Sequence, residues 1–127
     1  MLDRKPLFVP LATSPYRWFE SGTKTWELRR VGGQFQPKHL PAGRAATLSR
    51  GYSTPDRMRA TVGRHVVGDH ILDVLQAAGW KSVIPNATGP EEAIHLARQI
   101  LGDKPGPFIG IEFKVSTCRG SADDLSA

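Results

Sequence analysis

Between Thr25 and Val67 the chain offers three segments of strand character with no helical periodicity between them. Thr25 to Arg30 alternates, with Trp26 and Leu28 on one face and Glu27 and Arg29 on the other, the period of two of a half-buried strand. Ala45 to Arg50 and Arg57 to Val67 read as two more strands, with Tyr52 to Pro55 as the turn between them. A parallel sheet of alternating strands and helices needs a crossover helix at each step, and this middle third supplies none. The expected fold class is therefore α+β, a small curved sheet or barrel covered by two or three helices.

The flanks supply the helices. Leu7, Phe8, Val9 and Leu11 make an apolar run suited to a buried first strand. Ser14 offers an N-cap, Pro15 a first helical residue and Gly22 a C-terminal glycine, which predicts a short helix over Pro15 to Ser21. Residues 31–44 are rich in Gly and Pro and read as a long loop ending in a turn at Gly43. Ile71, Val74, Leu75 and Ala78 share one helical stripe, stopped by Gly79. Thr88 and Glu91 have capping-box spacing ahead of a stripe of Ala93, Ile94, Ala97, Ile100 and Leu101 that ends at Gly102. Phe108 to Val115 closes the set as a strand, with Ile109, Ile111, Phe113 and Val115 inward and Glu112 and Lys114 outward. One domain is expected over residues 1–116, followed by a short polar tail over 117–127.

The 127 residues suffice to bury a core, and 39% apolar with 23% charged residues is the balance of a folded globular chain. No apolar run approaches the roughly 18 residues of a membrane span, and the first residues lack the apolar core of a signal peptide. Cys118, the single cysteine, cannot form an internal disulfide, which agrees with a reducing compartment. The expectation is a cytoplasmic protein without a membrane partner. His39, His65, His70 and His95 have no ligand spacing with Cys or clustered acids, so neither a metal nor a cofactor is expected.

Charge is uneven along the chain. Residues 24–64 hold nine Lys or Arg against two acids, Glu27 and Asp56, whereas the remaining residues hold eight basic and ten acidic ones. Such a block is the footprint of a polyanion binder, or equally a solvated basic face. At its start the segment GTKTWELR packs Lys24, Glu27 and Arg29 between aromatics. By itself this trio reads as a surface ion-pair ladder of little energetic weight.

Gly22, Lys24, Glu27 and Arg29 match the G-x-K-x-x-E-x-R signature of the ASCH domain, a relative of the PUA domain of RNA-modifying proteins, and the chain resembles that family over roughly residues 6 to 115. The flanking order agrees: an apolar strand and short helix before the motif, a Leu-Pro-Ala-Gly turn over Leu40 to Gly43, and a terminal Ile-Glu-Phe-Lys strand over Ile111 to Lys114. The resemblance implies a PUA-like barrel of about five or six strands, and a cleft between barrel and helices that the signature lines. It further implies an RNA or nucleotide partner, or a hydrolase resembling an acetylcytidine amidohydrolase or a ribonuclease. Fold alone fixes none of these. The chain departs from the amidohydrolase subgroup, which has Thr where Glu27 stands and a Glu that has no counterpart around Pro85 to Thr88. Arg44 stands where many members carry an acid.

Arg29 shares a strand face with Glu27, which can hold its guanidinium fork toward a phosphate or a base edge. Lys24 is expected as a mobile counter-charge at the helix-to-strand junction. For catalysis, Lys24 or Glu27 would serve as base, with the remaining cations stabilising developing negative charge. Trp18 is the aromatic best placed to stack on a base; Arg44, Ser49 and Arg50 are further candidates to line or support the cleft. The leading expectation is an RNA- or nucleotide-binding domain. The alternatives are a metal-independent hydrolase of a modified nucleoside or of RNA, and a protein-interaction module that keeps the barrel without the pocket.

Overall fold

The computed structural model describes residues 5–116. Its strands are β1 (Leu7–Leu11), β2 (Trp26–Arg30), β3 (Ala45–Arg50), β4 (Arg57–Gly68) and β5 (Phe108–Val115). They form one sheet in the order β1-β3-β4-β5-β2, with β1 and β3 parallel and all other neighbours antiparallel. Helices α1 (Thr13–Ser21), α2 (Ile71–Ala78), α3 (Trp80–Val83) and α4 (Pro90–Leu101) complete an α+β half-barrel. The α+β expectation thus holds, with four helices rather than two or three. Cys118 and the polar tail lie outside the described residues.

The sheet curls because β4 is long and interrupted. It pairs with β3 over Arg57 to Thr61 and with β5 from Ala60 to Gly68, and the β5 register shifts between Val62 and His65. Such a bulge frees a backbone N–H and sharpens the local twist. Here the freed Arg64 N–H donates to Glu112 Oε1 at 3.1 Å. That carboxylate oxygen lies 2.5 Å from where a Cβ on Gly63 would stand, so a side chain there would displace the Glu112 carboxylate from this contact.

The curl separates two apolar layers. Inside lie Leu7, Val9, Leu48, Met58, Ile109 and Phe113, closed at one end by Tyr16 and Phe19 of α1. Outside β2 and β5, the residues Trp26, Leu28 and Phe108 pack against α2, α3 and α4. Gly110 permits the close approach of α2, since a Cβ there would lie 2.6 Å from Val74 Cγ1. Alternation on β2 therefore divides the strand as expected, but both faces are covered. Glu27 is buried along with Trp26 and Leu28, and Glu27 looks to the inner side.

The helix starts needed adjustment. The first helix begins at Thr13 with Ala12 at its N-cap, so Pro15 falls in the first turn rather than at its first residue. That position tolerates proline because the amide there needs no intrahelical acceptor. Gly89 caps α4, and the carboxylate that reaches back is Glu92, not Glu91. Glu92 Oε1 accepts from the Thr88 backbone N–H at 2.6 Å and its hydroxyl at 2.9 Å. The loop over residues 31–44 contains a 3-10 turn, Pro37–His39, that leads Leu40 into the core.

Candidate functional site

Gly22 ends α1 in the left-handed conformation, φ 85°, and turns the chain back so that the Lys24 N–H donates to the Trp18 carbonyl at 3.1 Å. The Thr25 N–H then donates to Ser82 O of α3 at 3.0 Å, fixing the entry to β2. This local path carries the Lys24 side chain inward. Only 4% of the residue is exposed, and Nζ donates to the Val83 carbonyl while lying 3.3 Å from Glu27 Oε1. The expected mobile counter-charge is thus a buried, held ammonium. Burial pushes its pKa below the ordinary lysine range; Glu27 opposes that shift and Arg29 adds to it.

Glu27 joins two cations. Its second oxygen, Oε2, accepts from Arg29 Nε at 2.7 Å. Arg29 continues across the open seam of the half-barrel, where Nη2 donates to Pro10 O of β1 at 2.8 Å and the guanidinium lies 4.9 Å from the Phe35 ring centre. With all three groups charged the cluster is a buried triad of net positive sign. Such a triad weakens sharply when one member is removed, because another is left uncompensated.

The three side chains converge on one cleft of about 460 Å³ along this seam. Pro10, Leu11, Pro15 and Trp18 form the wall from β1 and α1. Val83, Ile84 and Asn86 come from α3 and the turn after it, and Leu96, Gln99, Ile100 and Leu101 from α4. The lining is mostly apolar, with its charge gathered at the β2 side. Ile100, expected on the packed stripe of α4, is 72% exposed at this cleft.

The other candidates lie elsewhere. Arg44 donates to His39 O at 2.7 Å and Lys5 O at 2.9 Å, tying the long loop to the segment before β1. Ser49 is fully buried and its hydroxyl donates to Gly51 O. Arg50 pairs with Asp56 at 2.7 Å, and that contact holds the Asp56 carboxyl below the usual carboxylate range. None of the three lines the cleft. The basic block of residues 24–64 is therefore not one surface: Lys24 and Arg29 enter the cleft, while Arg57 and Arg59 lie exposed on β4.

Sequence reasoning missed Val83, Asn86, Gln99 and the seam residue Pro10. Nothing local signals a backbone carbonyl offered by a four-residue helix 59 positions after Lys24. Ile100 did carry a signal, an apolar residue at the margin of an amphipathic stripe. Among the described residues, no group of three or more His, Cys, Asp and Glu side chains is placed to hold a metal ion, and no helix is long and apolar enough to cross a membrane.

The backbone is similar to two solved structures. The crystal structure of hypothetical protein PH0355 matches with a TM-score of 0.72 at 17% identity, covering 88% of this chain and 100% of that one. The solution NMR structure of protein PF0455 from Pyrococcus furiosus matches with a TM-score of 0.66 at 16% identity, covering 89% of this chain and 99% of that one. At these identities the likeness concerns the fold. No family model matches the chain, and no curated protein matches it in sequence.

Proposed function

We propose that the chain is a cytoplasmic ASCH-type domain whose cleft binds RNA or a nucleotide by enclosing a single nucleoside unit. The observation that carries this reading is the convergence of Lys24, Glu27 and Arg29 on one cleft of about 460 Å³ that Trp18 also lines. A cleft of that size, apolar except for a few convergent polar groups, suits a small planar ligand held by one polar edge. The base stacks against Trp18 and the apolar side chains of α4, and its polar edge meets Glu27 and Arg29. Net positive charge in the triad favours an electron-rich carbonyl or a phosphate there.

Calorimetric titration with cytidine, acetylcytidine, cytidine monophosphate and a short single-stranded RNA tests the reading. Saturable binding of at least one of these is expected, weakened tenfold or more by Trp18→Ala and by Glu27→Gln. If none binds the folded wild-type protein, the reading fails.

A second reading, metal-independent hydrolysis of a modified nucleoside or of RNA, is favoured by the buried Lys24. A lowered lysine pKa makes the neutral amine accessible as a general base toward water. Arg29 would then stabilise the oxyanion formed on the attacked carbonyl or phosphate. Release of acetate from acetylcytidine, or cleavage of single-stranded RNA, abolished by Lys24→Met, would establish it. Binding without product would leave the cleft a binding site.

A further inference from the structure

The strands β1, β3 and β4 contain four arginines and no aspartate or glutamate. Arg50 is engaged by Asp56, and Arg64 lies 3.6 Å from Glu112. Arg57 and Arg59 are exposed and form no ion pair among the described residues. They stand two apart on one strand, so they share the outer face, about 6.6 Å from one another along it. The strand register places Phe8, Thr47 and Arg59 side by side in one row. Thr61 and Lys114 follow in the next row of the same face.

This outer face is continuous with the one that α2, α3 and α4 cover over β5 and β2. Over β1, β3 and the first half of β4 no helix among the described residues covers it, and two aromatic rings stand there instead. Tyr52 is 74% exposed, its ring 6.0 Å from Phe8, and the Arg57 guanidinium lies 5.4 Å from the Phe8 ring centre. The face therefore offers Arg57, which donates to the Tyr52 carbonyl at 3.4 Å, Arg59 and Lys114, none of them in an ion pair among the described residues, with small polar side chains between them and an accessible aromatic platform. The acids that border it are Asp56, held by Arg50, and Glu112, beside Arg64 and two residues from Lys114.

We propose that this outer sheet face binds single-stranded nucleic acid, with Arg57, Arg59 and Lys114 on consecutive phosphates and Tyr52 stacked on a base. An acidic protein or an anionic membrane would meet the same cations, but neither requires them spaced along one strand with a stacking ring beside them. Cations that track a backbone, interleaved with a stacking ring, are what a flexible single strand requires. The surface is separate from the triad of the cleft, and its occupancy does not depend on what the cleft holds.

Fluorescence anisotropy with a labelled twelve-nucleotide oligouridine tests this, with wild type, Arg57→Glu/Arg59→Glu and Tyr52→Ala. Three phosphate contacts predict a log–log salt slope of about −2. The double charge reversal should weaken binding more than tenfold and flatten that slope, and Tyr52→Ala should weaken it about fivefold or more. Titrating cytidine monophosphate into the double reversal, whose replaced residues do not line the cleft, reports on the cleft separately, so loss of the cleft reading and loss of this one are told apart. All three replaced side chains of the face are exposed, and shift mapping of the wild-type amides on adding the oligonucleotide needs no variant: shifts should gather on β1, β3 and β4. Shifts confined to the cleft, wild-type affinity in the double reversal, or indifference to Tyr52→Ala would each overturn the proposal.

Discussion

Arg29 of β2 is hydrogen-bonded to the Pro10 carbonyl of β1, 2.8 Å across the one seam where the two edge strands of the sheet face each other. The same guanidinium is held by Glu27 at 2.7 Å. Arg29→Lys keeps the charge and loses the fork that makes both contacts at once. Charge-assisted hydrogen bonds of this kind are worth roughly 1.5–3 kcal/mol, so a loss of that size is expected. Urea denaturation should show a lower midpoint with an unchanged slope.

The held ammonium of Lys24 predicts a pH dependence of stability. Its folded pKa lies below the unfolded value, so between the two the unfolded chain binds more protons and stability rises with pH. The cost of the buried charge is fully present below the folded value and is relieved as pH climbs toward the ordinary lysine value of about 10.4. Lys24→Met removes this titration. Denaturation of both proteins from neutral pH to about pH 10 should show the wild type gaining relative to the variant; a constant difference would mean that Lys24 titrates normally.

Ile100 separates binding from folding. It is 72% exposed, so Ile100→Glu should change stability by no more than about 0.5 kcal/mol. The same charge at the cleft opening should reduce nucleoside affinity severalfold, read by quenching of tryptophan fluorescence. Unchanged affinity would place the ligand away from the α4 wall.

Gly110 tests the packing of α2 on the sheet. A methyl group there would sit 2.6 Å from Val74 Cγ1 and 3.4 Å from the Trp26 ring. Branching at Val74 leaves little room for rotamer escape. Gly110→Ala should cost about 1–3 kcal/mol, seen as a lowered thermal midpoint.

The fold was largely legible because its strands alternate and its longer helices carry apolar stripes. Where reading stopped, the cause was distance or brevity. Helix α3 has four residues, too few for a periodic stripe, and no side-chain hydrogen bond caps it. Yet it supplies the carbonyl that holds Lys24. Lysine between polar neighbours reads as solvated, and its burial became visible only once Val83 and Glu27 were brought to it. The convergence of Lys24, Glu27 and Arg29 was readable from spacing and resemblance; the apolar lining around them was not, because α1 and α4 contribute it from far apart in the chain. Arg44 was expected beside the cleft from the resemblance and Arg50 from its place at the end of its strand, but the loop and hairpin turn them to local acceptors.

The pairing of β2 sets an order on synthesis. Among the described residues its only ladder runs to β5, Trp26 through Arg30 against Glu112 through Phe108. Every residue lining the cleft precedes that partner, the last being Leu101. A nascent chain emerging from the ribosome thus carries the whole set of cleft side chains before it has the strand that aligns Glu27 with Arg29. Alignment of the triad at the seam is deferred until Phe108 to Glu112 have been made, and a chain halted just short of them would hold the cleft's side chains without that alignment.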